Sequence, residues 1–441
     1  MSAARPGSAP PTPLEADPLA LRTAFEALRA GVPNRAAVLL LGSVEDSIEE
    51  RFEAGLGQAW SRAPAPGLLF AGGFGAGKSH MLGFLRELAL RQGFVVSTVS
   101  VSKETPLSSP LAVFAAAMRN AVVPGHADDA MAVMLAELQR RPGALQQLEA
   151  LVSAPGAGFA PIFAAMLHLL RRQLPADLLH RMEGFLAGGK PPGPPLRQAL
   201  AQAGARGMFD LGGVTEAALG LGRERFAPPL FRAAGFAGWC VLIDEVELIG
   251  RYSPLQRARA YAELARWLGL GAASRVASVA LPTTVAAGTS SNSAGLHVAA
   301  AITDDFAAEV INRRQDDEKL PGRLRLKGAA AQADLALAAM RAIELAPVLQ
   351  PPAEADLRRH AETLRQGYAT CYGWPAPPLP VGERRANRTM RHHVRGWITQ
   401  WDVLRLQGRA ATLELGTVAP NYGETHDLDE PPAATEGDHL P

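Results

Sequence analysis

The stretch that decides the fold is GGFGAGKS (72–79), which fits the pattern GxxxxGK[ST]. A short apolar segment, PGLLFA (66–71), precedes it, and helix-type sequence from His80 to Gln92 follows it. The next segment, FVVSTVSV (94–101), is a β-type run. A strand, a glycine loop, a helix and a second strand in this order form a βαβ unit. The sequence therefore predicts an α/β fold with a parallel sheet flanked by helices.

The residue types in this loop suit phosphate. Glycines let the backbone wrap around an anion, and their N–H groups converge on it together with the helix N-terminus. Within this pattern the lysine, Lys78, reaches the β- and γ-phosphates, and the Ser79 hydroxyl ligates Mg²⁺. No NKxD-type guanine signature occurs in the chain, which favours ATP over GTP. The predicted nucleotide-binding residues here are Gly72, Gly73, Phe74, Gly75, Ala76, Gly77, Lys78, Ser79 and His80.

A second apolar segment, WCVLI (239–243), ends in the acidic pair Asp244 and Glu245. The carboxyl ends of parallel strands form the edge at which α/β sheets bind ligands. Asp244 is therefore predicted to hold Mg²⁺, and Glu245 to polarise the attacking water as a general base. Taken alone, the acidic pair also fits an ordinary turn at a strand end. We expect Glu247 to be a surface residue or a structural partner rather than a catalytic group.

A third β-type segment, LHVAAAI (296–302), is followed by Thr303 and Asp304. In NTPases with an extra strand between the two motifs above, a polar residue at this place contacts the γ-phosphate or the water. Thr303 and Asp304 are therefore predicted catalytic residues. Both residue types also suit a helix N-cap, and the two roles are compatible.

Two arginine clusters are candidates to complete such a site. Arg323 and Arg325 lie in the segment LPGRLR (320–325). An arginine supplied by a neighbouring copy would stabilise transition-state charge, which requires a homo-oligomer. The alternative is that both are surface arginines in a loop.

The other cluster is Arg388, Arg391 and Arg395, on or beside a predicted final helix (389–406). These arginines lie opposite an apolar stripe at helical spacing. They could face a nucleotide cleft, DNA or solvent.

Composition limits the remaining possibilities. The 441 residues contain 44 Lys and Arg and 43 Asp and Glu, for a net charge of +1, which argues against a histone-like nucleic-acid coat. All the basic residues lie before position 410, while seven acids follow it, so a local basic surface remains compatible with this neutral total. The two cysteines, Cys240 and Cys371, exclude a disulfide framework and fit a reducing cytoplasm. No membrane span or export signal is expected.

The composition along the chain also predicts its organisation. We expect a disordered leader (1–17), an ATPase core (18–109 and 201–345) with a helical insertion (110–200), a C-terminal helical lid (346–409) and a disordered acidic tail (410–441). No convincing strand is visible in the insertion, and GGKPPGPP (188–195) is expected to be a loop or hinge.

Four further segments, with the glycine loop, resemble one bacterial family. They are IDEVELIGRYS (243–253), AITDDF (301–306), SKETPL (102–107) and RHHVRGWI (391–398). The family is the P-loop ATP-binding protein, component D, of BREX (bacteriophage exclusion) defence systems. The resemblance runs roughly from residue 19 to residue 407, and it implies a divergent AAA+ ATPase similar to the replication-initiator and helicase-loader branch.

The same resemblance implies roles for individual residues. Lys78 and Ser79 would act on phosphate and Mg²⁺, Asp244 on the metal and Glu245 on water. Thr303 or Asp304 would be the γ-phosphate sensor, and Arg388 or Arg391 the lid arginine.

The sequence thus favours Mg²⁺-dependent ATP hydrolysis that switches or drives an antiphage assembly with other defence-system proteins. The alternative is a non-hydrolysing adaptor that uses ATP to lock its fold and contacts DNA or a partner through the lid. A small-molecule kinase is disfavoured, because Glu245 directly after Asp244 fits activation of water better than transfer of phosphate to a second substrate. The sequence also shows no pattern for a pocket that would bind such a substrate.

Overall fold

The computed structural model describes residues 17–409, apart from 33, 62, 64–65, 127–128, 213–215, 271–294 and 380–388, together with Tyr422. Arg388 therefore lies outside the described residues. So do the predicted leader up to residue 16 and all of the predicted acidic tail except Tyr422.

Five strands form one sheet in the described part of the chain: β1 (Leu68–Ala71), β2 (Val95–Ser100), β3 (Ala121–Val122), β4 (Trp239–Asp244) and β5 (Leu296–Ile302). The helices are α1 (Pro18–Ala30), α2 (Arg35–Leu41), α3 (Asp46–Trp60), α4 (Lys78–Arg91), α5 (Pro110–Arg119), α6 (Ala130–Gln139), α7 (Pro142–Ser153), α8 (Pro161–Leu170), α9 (Ala176–Leu186), α10 (Gly193–Gln202), α11 (Glu216–Ala233), α12 (Pro254–Trp267), α13 (Asp316–Leu326), α14 (Ala330–Glu344), α15 (Glu354–Tyr372) and α16 (Met390–Gln407). A 3₁₀-helix (Val246–Arg251) follows β4, and a π-helix (Ala307–Asn312) follows β5.

The sheet has the strand order β1-β5-β4-β2-β3. The first four strands are mutually parallel, and only the short edge strand β3 is antiparallel, against β2. The predicted α/β architecture with a mostly parallel sheet is confirmed. The expectation that 110–200 holds no strand is wrong at β3, because two residues that pair only with Val96 and Ser97 leave no periodic pattern to recognise.

Strands β1, β4 and β5 are buried on both faces, so their sequences are almost continuously apolar rather than alternating. Alternate residues of β4 enter two different cores. Val241 and Ile243 pack in a large core that also contains residues of the helices between α5 and α14. Cys240 and Leu242 pack in a smaller core with Phe52 of α3 and other residues of α3 and α4.

A third core joins the two ends of the chain. Phe25 of α1 packs with Tyr368 of α15 and with Trp397 and Trp401 of α16. Helix α1 begins at the N-cap Asp17, which accepts two backbone N–H groups, and it ends at Gly31 in the left-handed conformation. The division into core, insertion and lid remains a prediction.

Two segments expected to be loops are wholly or partly helical. Arg323 and Arg325, for which a surface loop was the alternative to a catalytic role, are exposed but lie on α13, which contains Pro321. Buried Leu320 and Leu324 give this helix an apolar face that outweighs the hydrogen bond lost at the proline. The expected loop 188–195 ends earlier, because α10 begins at Gly193 with its prolines in the first turn, where the missing N–H has no cost.

Among the described helices, none has the length and apolar character required to cross a bilayer.

Candidate nucleotide-binding site

The glycine loop connects the end of β1 to the start of α4. Gly75 and Gly77 have φ values of 80° and 111°, a region that side-chain-bearing residues rarely adopt. A side chain at Gly75 would also come within 2.9 Å of Thr389 Oγ1. Gly77 is the N-cap of α4, and no side chain caps this helix. Its first backbone N–H groups are therefore directed at the loop and are suited to an anion.

Lys78 lies inside this loop rather than in solvent. Its ammonium donates to the carbonyl of Gly72 at 3.0 Å and lies 3.4 Å from Glu247 Oε1. The Lys78 and Glu247 side chains are only 9% and 11% exposed. Burial raises the pKa of Glu247 to about 7, with the charge of Lys78 opposing the shift.

Glu247 is therefore not a surface residue but the buried partner of Lys78. Sequence reasoning missed this contact. The contact depends on the 3₁₀ turn after β4, which directs the third residue after Asp244 back toward the sheet edge and which no sequence pattern indicated.

The acidic pair lies at the carboxyl end of β4. Asp244 Oδ1 accepts the N–H of Glu245 at 2.9 Å. Glu245 adopts the left-handed conformation (φ 60°, ψ 31°), which is uncommon for a residue with a side chain and is found preferentially at functional sites. Partial desolvation of its carboxyl, followed by repulsion from Asp244, raises the pKa of Glu245, whereas Lys78 and Arg391 lower it.

The residues after β5 lie next to the glycine loop. Thr303 is buried, and its hydroxyl is 2.5 Å from the hydroxyl of Tyr422. The Asp304 carboxylate lies over Gly73, where an added Cβ would be 3.6 Å from it. The helix that follows has Phe306 as its N-cap, and no side chain caps it. Neither Thr303 nor Asp304 therefore caps this helix with its side chain.

Of the two arginines predicted for the lid role, Arg391 lies within the described residues. Its guanidinium carbon lies 5.2 Å from the centroid of the Phe74 ring, and its backbone N–H faces the Gly75 carbonyl at 3.5 Å. Helix α16 therefore begins directly above the loop.

The other predicted residues are placed differently. His80 Nε2 lies 2.7 Å from the carbonyl of Gly42, so this side chain links α4 to the end of α2. Burial lowers the pKa of its imidazole. Arg323 and Arg325 lie on α13 and do not line the cavity described next, and Arg325 pairs with Asp334 at 2.9 Å.

A cavity of about 180 Å³ lies over the loop. One end is formed by the loop itself, with Lys78, Ser79, Glu245 and Glu247. Apolar side chains from three parts of the chain contribute to the rest of the lining: Leu28, Val32, Leu349, Met390 and Val394. Polar residues, among them Asn34, Ser43 and Gln350, lie between them. A phosphate end joined to an apolar end suits a nucleotide, whose base prefers an apolar environment.

The oxygen donors beside the loop fit Mg²⁺. Ser79 offers a hydroxyl, and Asp244 a carboxylate whose second oxygen takes no part in the bond to Glu245. In the described part of the chain, no three His, Cys, Asp or Glu side chains converge as a dedicated metal cage. Mg²⁺ commonly takes one or two protein ligands and completes its shell with phosphate oxygens and water, so two donors are sufficient.

A mostly parallel sheet with a glycine loop between its first strand and a helix that begins with Lys-Ser is typical of P-loop-like α/β proteins. Residues 21–139 match the family model described as BREX system ATP-binding protein BrxC/D, which confirms the resemblance seen in the sequence. The matched range includes the whole glycine loop and ends before the acidic pair. No curated protein and no solved structure matches the chain.

Proposed function

We propose that this protein binds ATP with Mg²⁺ and hydrolyses it to switch or drive a BREX-type antiphage assembly. The observation that carries the proposal is the sheet order. Strand β5 lies between β1 and β4, so the glycine loop, the Thr303–Asp304 turn and the Asp244–Glu245 pair share one edge of the sheet. That arrangement supports an AAA+ type of ATPase.

The chain's own groups supply the steps of hydrolysis. The loop amides and Lys78 would hold the phosphates, with Ser79 and Asp244 as ligands for Mg²⁺. The metal, when bound, neutralises phosphate charge and orients the γ-phosphate for in-line attack. Glu245 would accept a proton from the attacking water, which its raised pKa favours.

Two further groups would complete the site. Thr303 or Asp304 would contact the γ-phosphate. Arg391 would leave Phe74 to reach the same phosphate, and Arg388 remains an equivalent proposal. Arg323 and Arg325 are exposed on α13, so we propose that either one would act on the nucleotide of a neighbouring copy.

ATP binding and turnover measured on Lys78→Ala and Glu245→Gln test this proposal. Lys78→Ala should abolish nucleotide binding, because the phosphates lose their only buried cation in the loop. Glu245→Gln should bind ATP and fail to hydrolyse it. Matched controls are Lys103→Ala and Glu318→Gln, which alter exposed residues and should leave both properties unchanged.

Two outcomes would redirect the assignment. Normal turnover in Glu245→Gln would remove Glu245 as the base. Lys78-dependent ATP binding without any turnover in the unmodified protein would favour the non-hydrolysing adaptor. DNA contact through Arg388, Arg391 and Arg395 would then be tested by the salt dependence of DNA affinity.

A further inference from the structure

Lys78 is held by two groups of its own chain, and one of them is an acid. The Gly72 carbonyl takes one of its three N–H donors, and Glu247 supplies a carboxylate at 3.4 Å. The second oxygen of that carboxylate, Oε2, is buried and has no hydrogen-bond partner in the described part of the chain. Glu247 also lines the cavity over the glycine loop. A buried carboxylate therefore lies against the cation that phosphate would need.

We propose that Glu247 is a positioning residue that competes with the nucleotide phosphates for Lys78 and thereby sets the affinity of the site. The proposal rests on the proposed ATP binding and goes beyond it, because it assigns a restraining role to an acid outside the metal and water positions.

The geometry gives the direction of the effect. A phosphate that reaches Lys78 must share or replace the Glu247 carboxylate, and it brings further negative charge next to that carboxylate. Attraction within a buried pair is strong because little water screens it, and repulsion between two buried anions is strong for the same reason. An ionised Glu247 therefore weakens phosphate binding twice: it stabilises the free site and it destabilises the bound one.

Protonation of Glu247 relieves both effects. The titratable groups that face Glu247 are Lys78 from α4, Asp244 and Glu245 from the end of β4, and the neutral Tyr422 hydroxyl. Its pKa of about 7 lies close to neutral pH, and a bound phosphate would raise this pKa further. Below pH 7 the carboxyl is neutral and the competition disappears, whereas above pH 7 the competition is complete. Affinity for nucleotide should therefore rise as the pH falls through about 7, with uptake of a proton on binding.

The experiment measures the Kd for ADP of the full-length protein at pH 6 and pH 8.5, for the unmodified chain and for Glu247→Gln. Glutamine keeps the shape of the side chain and removes its charge. We expect Glu247→Gln to bind ADP about tenfold tighter than the unmodified protein at pH 8.5. A tenfold change corresponds to removing an opposing interaction of about 1.4 kcal/mol. At pH 6 the two proteins should be nearly equal. The phosphate groups of ADP titrate in both measurements, so only the difference between the proteins is interpreted.

Two controls separate positioning from simple structural support. Glu247→Asp retains a carboxylate and should retain the pH dependence. Calorimetry in two buffers of different ionisation enthalpy, at pH 8, should show proton uptake by the unmodified protein that is absent in Glu247→Gln. At pH 8 the phosphates of free ADP are already ionised, so proton uptake at this pH reports on the protein. The measurement on the unmodified protein therefore still tests the proposal if Glu247→Gln folds poorly.

Equal or weaker ADP binding by folded Glu247→Gln at pH 8.5 would overturn the proposal, and so would the absence of proton uptake by the unmodified protein. If the unmodified protein bound neither ADP nor ATP at either pH, the proposed function would fail together with this inference. ADP binding by the unmodified protein without any effect of Glu247→Gln would refute this inference alone.

Discussion

The hydroxyl of Tyr422 joins the end of β5 to the C-terminal segment of the chain. It lies 2.5 Å from Thr303 Oγ1 and donates to Asp305 Oδ1 at 2.6 Å. The Tyr422 carbonyl accepts from Arg314, and its ring packs edge-on against Phe306 with 5.9 Å between centroids. Tyr422 belongs to the stretch for which the sequence predicted only a disordered acidic tail. Its hydroxyl is nevertheless hydrogen-bonded to the hydroxyl of Thr303, one of the two predicted γ-phosphate sensors.

Tyr422→Phe should raise the rate of ATP turnover if Thr303 is that sensor. The substitution removes the phenol oxygen, so Thr303 no longer has to exchange this hydrogen bond for one to phosphate or water. A net hydrogen bond contributes about 1 kcal/mol, which corresponds to an increase of about fivefold in kcat. Steady-state ATPase assays at saturating ATP measure it. In a Thr303→Ala background the same substitution should have no effect, and a gain that persists there would contradict this explanation.

Local sequence signals were sufficient for the parts of the site made by neighbouring residues. The glycine loop follows from φ values that only glycine adopts readily, as at Gly75 and Gly77. The strand ending in Asp244 follows from an apolar run of the length of one strand. In each case the residues that form the motif also form the local structure. The sequence alone therefore predicted the glycine loop and the strand that ends in Asp244.

Contacts between distant segments could not be predicted in this way. Tyr422 reaches Thr303 across 119 positions of the chain, and no periodicity or composition marks that pairing. The apolar stripe of α16 was visible, but its partners Phe25 and Tyr368 were not. Pro321 shows the reverse relation, because a residue that usually interrupts a helix lies inside α13, where burial of Leu320 and Leu324 outweighs its local preference.

The contact between Arg391 and Phe74 predicts opposite effects for two substitutions. Arg391→Ala removes a cation beside the loop, and charge-assisted hydrogen bonds to phosphate contribute about 1.5–3 kcal/mol, so ATP affinity should fall at least tenfold. Phe74→Leu keeps the apolar surface and removes the ring that holds Arg391. The cation–π contact at such a half-exposed ring contributes about 0.5–1 kcal/mol, so Phe74→Leu should bind ATP two- to fivefold tighter.

Titration with a fluorescent ATP analogue measures both effects. Arg313→Ala is the matched control, since Arg313 is exposed and pairs with Glu309 on its own helical turn. A loss of affinity in Phe74→Leu would show that the ring itself contributes to the nucleotide site.

Gly75→Ala should weaken ATP binding through the backbone. Its φ of 80° costs a residue with a Cβ about 1–2 kcal/mol, and the new methyl would press on Thr389 at the start of α16. The expected loss of affinity is about tenfold, measured by the same titration. Gly143→Ala is the control, because an added Cβ meets nothing within 4 Å on α7. Unchanged affinity in Gly75→Ala would mean that the loop changes conformation before it binds phosphate.

Asp316→Ala should produce the largest loss of stability, because it removes the centre of a buried polar network. Both oxygens of Asp316 accept from the Arg257 guanidinium, at 2.6 and 2.9 Å, and Tyr261 donates to the same carboxylate at 3.1 Å. The Arg257 and Asp316 side chains are only 3% and 2% exposed. Removing the acid takes away a buried charge that accepts two hydrogen bonds from the buried guanidinium, at a cost of about 3–5 kcal/mol in the free energy of unfolding.

Chemical denaturation of Asp316→Ala and of the neighbouring variant Asp317→Ala compares a buried with an exposed position on the same helix. Asp317→Ala should change the free energy of unfolding by no more than about 0.5 kcal/mol, as is usual for a surface substitution. The network joins the start of α13 to α12, which packs beside the sheet, so its loss should also release the helix that carries Arg323 and Arg325. If either arginine acts on a neighbouring copy's nucleotide, the ATP turnover of Asp316→Ala, relative to the unmodified protein, should be lower than its folded fraction. A relative turnover equal to the folded fraction would mean that the network serves stability alone.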